Sequence, residues 1–376
     1  MKTLPVLLVC LLAAIVSTAQ DSTNQSQVRK LATGIYRNYL HVRSPGNNSF
    51  TQNSEAGYQA YAGWKIRKLV IEKLGFGEEV TDSSKRMANK VTRLANNLMT
   101  GTKAYILRQF IFIREGSAVE PFQVADNERL LRQLDFIKDA RIELEPVGDH
   151  EVDLILKVRD VFSIGVKGTA SGIAEMEGTL YDANLFGWAQ RLEYSLRYDS
   201  DRHPPVGSSM LYRKYNIAGS FVNGEFFWSG INTGTTLGRE YESSARIKLD
   251  RPLYTPNAKW TGGLELSTSK SVNRTEKPDS LFRSYAYHFG DIWVGYNFGT
   301  HVTRFASRYE PDNRRRKLVS LRYYNQHFTR QPNLPSYYYP YASKAFLLGN
   351  ITWYKQNYIR TNYIYGFGPP KTCPWV

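Results

Sequence analysis

The chain contains 376 residues, and its 49 Lys plus Arg outnumber its 34 Asp plus Glu, which gives a net charge of +15 at pH 7. Aromatic residues make up 14% of the chain and charged residues 22%, a composition that argues against wholesale disorder. Beyond residue 19 no apolar run approaches the roughly 20 residues that a spanning helix needs, which excludes a helical-bundle membrane protein. The 26 Tyr and 28 Gly of this polar chain favour β-structure.

The first residues have the pattern of an export signal. Lys2 precedes an apolar stretch from Leu4 to Val16, and small residues follow at 17–19. This pattern predicts a secretory signal peptide over residues 1–19. Its removal would take Cys10 with it and leave Cys373 as the single cysteine, so no disulfide is expected. The polar residues 20–61 predict a weakly structured N-terminal segment.

Residues 62–160 alternate between strand-like and helix-like patterns. The β-branched run at 65–71 predicts a strand, and apolar residues at three- and four-residue spacing predict a helix over 85–99. The run at 106–112 fits either a strand or a helix. A further helix is predicted over 124–136, with Leu130, Leu131 and Leu134 buried, followed by strands at 140–145 and 152–158. The segment therefore predicts one compact α+β module of the order β-α-α-β-β.

Residues 161–376 carry a pattern of period two. In the stretch from Gln190 to Tyr198, Leu and Tyr alternate with Arg, Glu and Ser, and similar alternation recurs at 260–267, 291–298 and 319–324. Stretches of about ten alternating residues with Tyr and Trp near their ends are typical of transmembrane β-barrels. We expect a lipid-facing apolar side, on which Leu196 lies, and an opposite polar side that contains Arg197.

The residue pattern argues against two other classes of function. Basic runs such as Arg314–Lys317 could contact phosphates, but the charges alternate with apolar residues, so no nucleic-acid partner is expected. The histidines lack metal-ligand spacing, and no nucleophile elbow or phosphate loop is present. The sequence therefore predicts no enzyme activity, no catalytic, cofactor-binding or metal residues, and no cofactor. The histidines are His41, His150, His203, His288, His301 and His327.

Four short motifs of the module resemble a polypeptide-transport-associated (POTRA) domain. They are Gly63-Trp64-Lys65-Ile66-Arg67, Ile113-Arg114-Glu115-Gly116, the run from Asn127 to Leu134, and Asp139-Ala140-Arg141-Ile142. In this resemblance Gly116 turns the chain into the second helix, whose leucines pack on the sheet.

Two motifs of the later strands resemble the BamA/TamA-type outer-membrane assembly superfamily. One is Asp182-Ala183-Asn184-Leu185-Phe186-Gly187-Trp188-Ala189-Gln190, in which Ala189 replaces the usual glycine, and the other is Arg251-Pro252-Leu253-Tyr254. Asn184 and Gly187 suit a tight turn. The resemblance implies a POTRA module followed by an antiparallel transmembrane β-barrel.

The same resemblance implies a location and a role. The protein would lie in the bacterial outer membrane, in contact with its lipid, and the module would lie in the periplasm. It would insert or translocate polypeptides, and periplasmic accessory proteins would assist it. The module would receive unfolded client polypeptides by strand pairing and pass them to the barrel.

Two other classes of function compete with this interpretation. One is an outer-membrane channel or porin for small solutes, which should lack the module at 62–160. The other is a soluble secreted β-sandwich adhesin with one wet face.

The C-terminal end predicts an incomplete barrel. Residues 161–376 hold roughly nine or ten strands of about ten residues each, fewer than the barrel they resemble. The chain ends in Pro369-Pro370-Lys371-Thr372-Cys373-Pro374-Trp375-Val376, where a strand or loop should continue. Back-translation of these residues in another frame permits a sequence close to the expected continuation. We therefore expect a C-terminally truncated product, a fragment created by a shifted reading frame.

Overall fold

The computed structural model describes residues 52–53, 55–74, 101–172, 174–233, 240–256, 258–298, 315–334, 337–355 and 359–360. The predicted signal peptide, the predicted helix at 85–99 and the proline-rich C-terminus lie outside these described residues. Among the residues that are described, no helix combines the length and apolar character needed to cross a membrane.

The module of residues 62–160 contains a three-stranded sheet and two described helices. Its elements are β2 (Lys65–Leu74), α1 (Ala104–Gln109), α2 (Pro121–Arg132), β3 (Ile137–Pro146) and β4 (Glu151–Asp160). The strand order is β2-β4-β3, with β2 parallel and β3 antiparallel to the central β4. The ambiguous run at 106–112 thus belongs partly to a helix, and the three predicted strands are confirmed.

Helix α2 begins and ends earlier than the predicted 124–136. It begins at Pro121, whose fixed φ and missing N–H suit the first helical position. It ends at Arg132, and Phe136 and Ile137 are then buried where the chain enters β3. Leu130 and Leu131 are buried as predicted, and Leu134 is partly buried against the same core.

The polar N-terminal segment is more ordered at its end than predicted. Residues Ala56–Tyr61 form a short 3₁₀ helix, and Tyr58 is only 7% exposed within the core of the module. The segment also contains β1 (Gln52–Asn53), which pairs antiparallel with β15 (Ile359–Arg360). The segment therefore contributes a core residue that lies before the predicted boundary of the module.

The remaining strands form one ten-stranded antiparallel sheet in strict chain order from β5 to β14. Each strand pairs with its sequence neighbours, so β5 and β14 are the edges among the described residues and the sheet is not closed. The stretches predicted as strands at 190–198, 260–267, 291–298 and 319–324 are confirmed as parts of β7, β11, β12 and β13. The ten strands are β5 (Ile164–Ala170), β6 (Glu175–Asp182), β7 (Gln190–Asp199), β8 (Val206–Lys214), β9 (Asn223–Thr233), β10 (Tyr241–Arg251), β11 (Trp260–Val272), β12 (Ala286–Phe298), β13 (Arg315–Arg330) and β14 (Lys344–Lys355).

Three of the turns in this sheet contain a short 3₁₀ helix, at Leu185–Gly187, Ile217–Gly219 and Tyr339–Tyr341. The first two lie at the end of the sheet that contacts the module, because residues beside them form hydrogen bonds with Thr102 and Gln109.

Candidate functional site

One face of the ten-stranded sheet is apolar from its first strand to its last. Residues directly opposite in neighbouring strands point to the same face, so the register traces rows of side chains across the sheet. One row crosses β5 to β9 through Val166, Leu180, Tyr194, Met210 and Trp228. A second row crosses β10 to β14 through Leu249, Leu264, Ile292, Tyr323 and Leu347.

Many side chains of this apolar face are exposed. Leu196 is 40% exposed, Ile292 54% and Leu347 69%. A continuous exposed apolar surface across ten strands is unusual for a soluble monomer, and an outward apolar band is what a membrane-spanning strand presents. Arg197 lies on the opposite face, opposite Glu177 in β6, so Leu196 and Arg197 lie on different faces of the sheet, as predicted.

Aromatic side chains border the apolar face at the end near the module. Trp260 begins β11, Phe298 ends β12, and Trp353 lies two residues before the end of β14. All three are more than half exposed, and the ring of Trp260 meets Tyr296 edge-on at 4.8 Å. Trp and Tyr favour membrane–water interfaces because their rings are amphipathic.

The opposite face carries most of the charged side chains of the sheet and is rich in ion pairs, although Phe346 and Leu348 of β14 are exposed on it. Glu225 of β9 is bound by Arg213 of β8 and, at 2.7 Å, by Arg246 of β10. Arg322 of β13 forms a two-pronged pair with Asp291 of β12, with its Nε 2.8 Å from Oδ1. This face also holds a cavity of about 300 Å³, which is lined by Lys167, Glu177, Thr179, Glu193, Ser195, Arg197, Ser209, Leu211, Phe227 and Ser229.

A hydrogen-bond chain, buried at Asn184 and partly buried at Asp160, joins the module to the first long hairpin turn of the sheet. Thr102, just before α1, donates from its amide and its hydroxyl to the two carboxylate oxygens of Asp160 at 2.7 and 2.8 Å. Asn184 donates from Nδ2 to Thr102 Oγ1 at 2.8 Å, and its Oδ1 accepts from the Ala189 amide at 2.9 Å. The amide of Lys103 donates to the Gly187 carbonyl. The turn motif singled out in the sequence is therefore a docking surface for the start of α1.

Backbone angles account for the residue preferences in this turn. Phe186, Gly187 and Ala189 all have positive φ, at 57°, 71° and 51°. Glycine adopts this left-handed region without steric cost, whereas a residue with a Cβ is strained there. A glycine would therefore suit position 189, where this chain carries a fully buried alanine.

A second contact joins the module to the next turn, between β8 and β9. Asp135 accepts a hydrogen bond from the Tyr215 hydroxyl at 2.7 Å and from Arg191 Nη1 at 3.2 Å. Burial, together with the charge and hydrogen bond of Asp135, raises the pKa of Tyr215 to about 12, so the hydroxyl keeps its proton at neutral pH. Asn216 adds a bond from Nδ2 to the Gln109 carbonyl at 2.8 Å.

The motif Arg251–Tyr254 forms a third contact with the module. The Tyr254 ring stacks on Phe221 at 3.8 Å and lies 6.1 Å from Phe112 of the module. The Arg251 guanidinium lies 5.5 Å from the centre of the same ring, a cation–π distance. Both motifs that the sequence singled out in the sheet thus lie at its contacts with the module.

Asp160 is a partly buried acid of this junction. Burial raises its pKa above the ordinary value of 3.8, although the two Thr102 hydrogen bonds and the charge of Lys73 act in the opposite direction. A methyl group added at Gly101 would lie 3.0 Å from Asp160 Oδ2, so the chain approaches the carboxylate closely there.

Side chains cover both edges of the module sheet at mid-strand. On β2, the Leu69 amide donates to Glu115 Oε1 at 2.9 Å, and the Leu69 carbonyl accepts from Arg108 Nη2 at 3.3 Å. On β3, the Ile142 amide donates to Glu128 Oε2 at 3.0 Å. Glu115 and Glu128 both belong to the sequence motifs of the module, and the structure thus gives each an edge-covering role.

Most of the junction residues were not predicted from the sequence. Thr102, Asp135, Tyr215 and Asn216 belong to no motif. Only Asn216 has a residue type that its conformation favours, because asparagine tolerates the left-handed region in which it lies, with φ of 48°. Of the described histidines, His150 and His203 lie in separate turns, whereas His288 and His327 lie directly opposite each other in β12 and β13. His41 and His301 lie outside the described residues. Among the described residues, no group of three or more His, Cys, Asp or Glu is placed to hold a metal ion.

No protein-family model matches the chain, and no curated protein sequence is similar to it. Solved structures with some likeness include BamA from Haemophilus ducreyi lacking POTRA domains 1–3, with a TM-score of 0.36 and 16% identity over 70% of this chain and 50% of that chain. CdiB from Acinetobacter baumannii has a TM-score of 0.36 and 12% identity, with coverage of 83% and 60%. CdiB from Escherichia coli has a TM-score of 0.34 and 11% identity, with coverage of 83% and 68%. The chain spans about half the length of the BamA chain that it matches.

Proposed function

We propose that the chain is an outer-membrane β-sheet protein that inserts or translocates polypeptides, with a POTRA-like module on the periplasmic side. The observation that carries the proposal is the combination of an exposed apolar sheet face with an α+β module fixed to one end of that sheet. A lipid bilayer is the solvent that such a face fits. The module supplies strand edges, which bind extended chains through main-chain hydrogen bonds. The role needs no cofactor and no covalent chemistry.

The competing functions fit the same features less well. A soluble sandwich packs two sheets face to face, whereas the described strands β5 to β14 belong to a single sheet with an exposed apolar face. A bare solute channel has no use for the module, which three separate contacts fix to the sheet.

Membrane location is tested by expressing the full chain and extracting the isolated membranes with alkaline carbonate. The proposal expects the protein to stay with the outer-membrane fraction. Recovery in the soluble periplasm or the medium would contradict it and favour the secreted adhesin.

Polypeptide handling is tested with the full chain reconstituted in liposomes. An unfolded outer-membrane β-barrel client is added, and its folding is followed by the shift in its electrophoretic mobility between heated and unheated samples. We expect faster client folding than in empty liposomes, and slower folding with Asn184→Ala, which breaks the junction to the module. Ion conductance without any effect on client folding would instead support the solute channel.

A further inference from the structure

We propose that the apolar face of the sheet carries a binding site for a phosphorylated lipid headgroup, at the ends of β11, β12 and β13 that lie away from the module. The site is a basic patch formed by Lys270, His288, His327 and Arg330. The lipid phosphate would lie among these four side chains, and the acyl chains would lie along the apolar rows beside them. The inference rests on the proposed function, since it requires the apolar face to lie in a bilayer.

The register places the basic patch on the apolar face. Side chains two or four residues apart on a strand share a face, and the first row of the patch lies four residues beyond the row of Leu264 and Ile292. This first row consists of Thr268, His288 and His327. The next row lies beyond a bulge between β12 and β13 and consists of Lys270, Ala286 and Arg330.

No carboxylate of strands β10 to β14 shares this face. The acidic residues of these strands all alternate onto the opposite face, and they are Glu242, Asp250, Glu265 and Asp291. Among the described residues, no ion pair involves any member of the basic patch. Arg330 Nη1 donates to Ser284 Oγ at 3.3 Å, a neutral partner. The patch therefore keeps its positive charge, which attracts an anion.

The spacing along β11 places the patch at the level of lipid headgroups. Trp260, near the module, and Lys270 are ten positions apart on this strand, which is about 34 Å at about 3.4 Å per residue. A strand tilted by about 35–45° then covers about 24–28 Å of membrane thickness, close to the apolar band of about 25 Å in outer-membrane barrels. If Trp260 lies at one interface, Lys270 therefore reaches the other.

The chemistry of the patch fits a phosphate that is attached to acyl chains. A guanidinium can bind two phosphate oxygens at once, and an imidazole carries an N–H donor in both of its protonation states. A free anion would use these groups alone. A lipid would also cover Leu266 and Ile292 on the adjacent rows, which are 51% and 54% exposed.

The basic patch is local rather than a general property of this end of the sheet. At the same end of β6 to β8, the last two rows on the apolar face are uncharged. They consist of Gly178, Leu196 and Ser208, and of Met176, Tyr198 and Val206. The contrast favours a defined site on β11 to β13 over a uniform contact with headgroups around the sheet.

The site is tested with the full chain in a neutral detergent, titrated with fluorescent phosphatidic acid, whose headgroup is a phosphate alone. We expect the double variant Lys270→Gln and Arg330→Gln to bind about thirtyfold more weakly than the wild type, since each basic side chain near an anionic lipid surface contributes a factor of about five. The matched control, Lys68→Gln with Arg114→Gln, removes two exposed charges from the module and should bind as the wild type does.

A charge-preserving variant separates loss of charge from damage to the fold. Lys270→Arg with Arg330→Lys keeps both charges and should bind nearly as tightly as the wild type. Equal affinity of the wild type and the glutamine variant, or equal weakness of the glutamine and charge-preserving variants, would overturn the inference.

The ligand class is tested by competition. We expect unlabelled phosphatidic acid to displace the probe at concentrations at which phosphatidylcholine with the same acyl chains and inorganic phosphate do not. Displacement by phosphatidylcholine would show that acyl chains alone bind, and displacement by inorganic phosphate would show a free-anion site; either result would overturn the inference.

The proposed function is measured separately, because client folding can be followed in liposomes of phosphatidylcholine alone. Client folding without any preference for phosphatidic acid would remove this site and leave the proposed function standing. Preference for phosphatidic acid without client folding would support the site and contradict the proposed function.

Discussion

Asn184 and Thr102 are joined by a hydrogen bond of 2.8 Å, and this bond links the turn after β6 to the residue that precedes α1 by two positions. Both side chains are almost fully buried. Neither group can exchange its partner for water without local opening, so the relative position of the module and the hairpin turn depends on this pair.

Replacing Asn184 with Ala should therefore loosen the junction. Thr102 Oγ1 and the Ala189 amide would each lose a buried partner, which costs about 1–3 kcal/mol for each unsatisfied group. We expect a lower midpoint of thermal unfolding for the full chain in detergent and faster proteolysis between the module and β5. Asn333→Ala, a change at an exposed loop position, should have almost no effect. Equal stability of the two variants would contradict the role of the junction.

The partly buried carboxyl of Asp160 predicts a pH dependence. Its pKa is raised in the folded protein above the ordinary value of 3.8, so the folded state binds more protons than the unfolded state just above that pH. Its contribution to stability is therefore complete at low pH and falls as the pH rises through the folded pKa.

Asp160→Asn should remove this dependence. The amide keeps one acceptor oxygen but presents an NH₂ group to a Thr102 donor, so the variant is also less stable. We expect the difference in unfolding free energy between wild type and variant to shrink as the pH rises above 3.8, measured by thermal melts at several pH values. If the difference in unfolding free energy between wild type and variant grew with pH, the prediction would be wrong.

The two faces of β7 predict opposite tolerances. Leu196→Arg places a cation on the exposed apolar face and should cost about 2–4 kcal/mol near the bilayer midplane. Arg197→Leu removes a partner of the half-exposed Glu175 on the polar face and should be mild. Unfolding by urea in lipid vesicles measures both changes. Equal losses of stability in the two variants would show that Leu196 does not face the lipid.

Backbone strain in the turn after β8 predicts a stabilising change. Ala218 is exposed and has a φ of 52°, where a Cβ costs about 1–2 kcal/mol. Ala218→Gly should raise stability by about 0.5–1 kcal/mol after the greater entropy of the unfolded glycine is subtracted. Ala104→Gly, at an exposed position in helix α1, should lower stability instead. Thermal melts of the two variants should therefore shift in opposite directions.

The buried Tyr58 shifts the boundary of the module as an independent folding unit. A fragment of residues 55–160 keeps this core residue, and we expect it to unfold cooperatively in circular dichroism experiments. A fragment of 62–160 should be less stable, and Leu131→Asp should abolish folding in both, because it buries an unpaired charge. A random-coil spectrum for 55–160 would contradict the boundary.

The strands were predictable because their signal is local. In β7 the alternation of Leu and Tyr with charged residues is complete within ten residues, and the register of the sheet keeps these positions on one face. The run at 106–112 has no such period. Its first residues are helical because the helix buries Ile106 and Leu107 in the core.

The junction was not predictable, because its partners lie far apart along the chain. Thr102 and Asn184 are separated by 82 positions, and Asp135 and Tyr215 by 80. Each residue type is ordinary for a turn or a helix end, and only the folded chain reveals which acceptor meets which donor. The turn motif of 182–190 was recognised as a pattern, but its contact with α1 depends on the module that precedes it.

The unbroken chain order of the ten strands has a consequence for how the sheet is built. Because each strand from β5 to β14 pairs only with its chain neighbours, every new strand finds its partner one turn away, and the entropy lost in closing each loop is small. Pairing can therefore advance hairpin by hairpin while later strands are still unfolded. Among the described strands of this sheet, none has to stay unpaired until a partner that is distant in the sequence has formed. The growing edge during assembly is always the most recently added strand, which limits the exposed backbone at that end to one line of hydrogen-bonding groups.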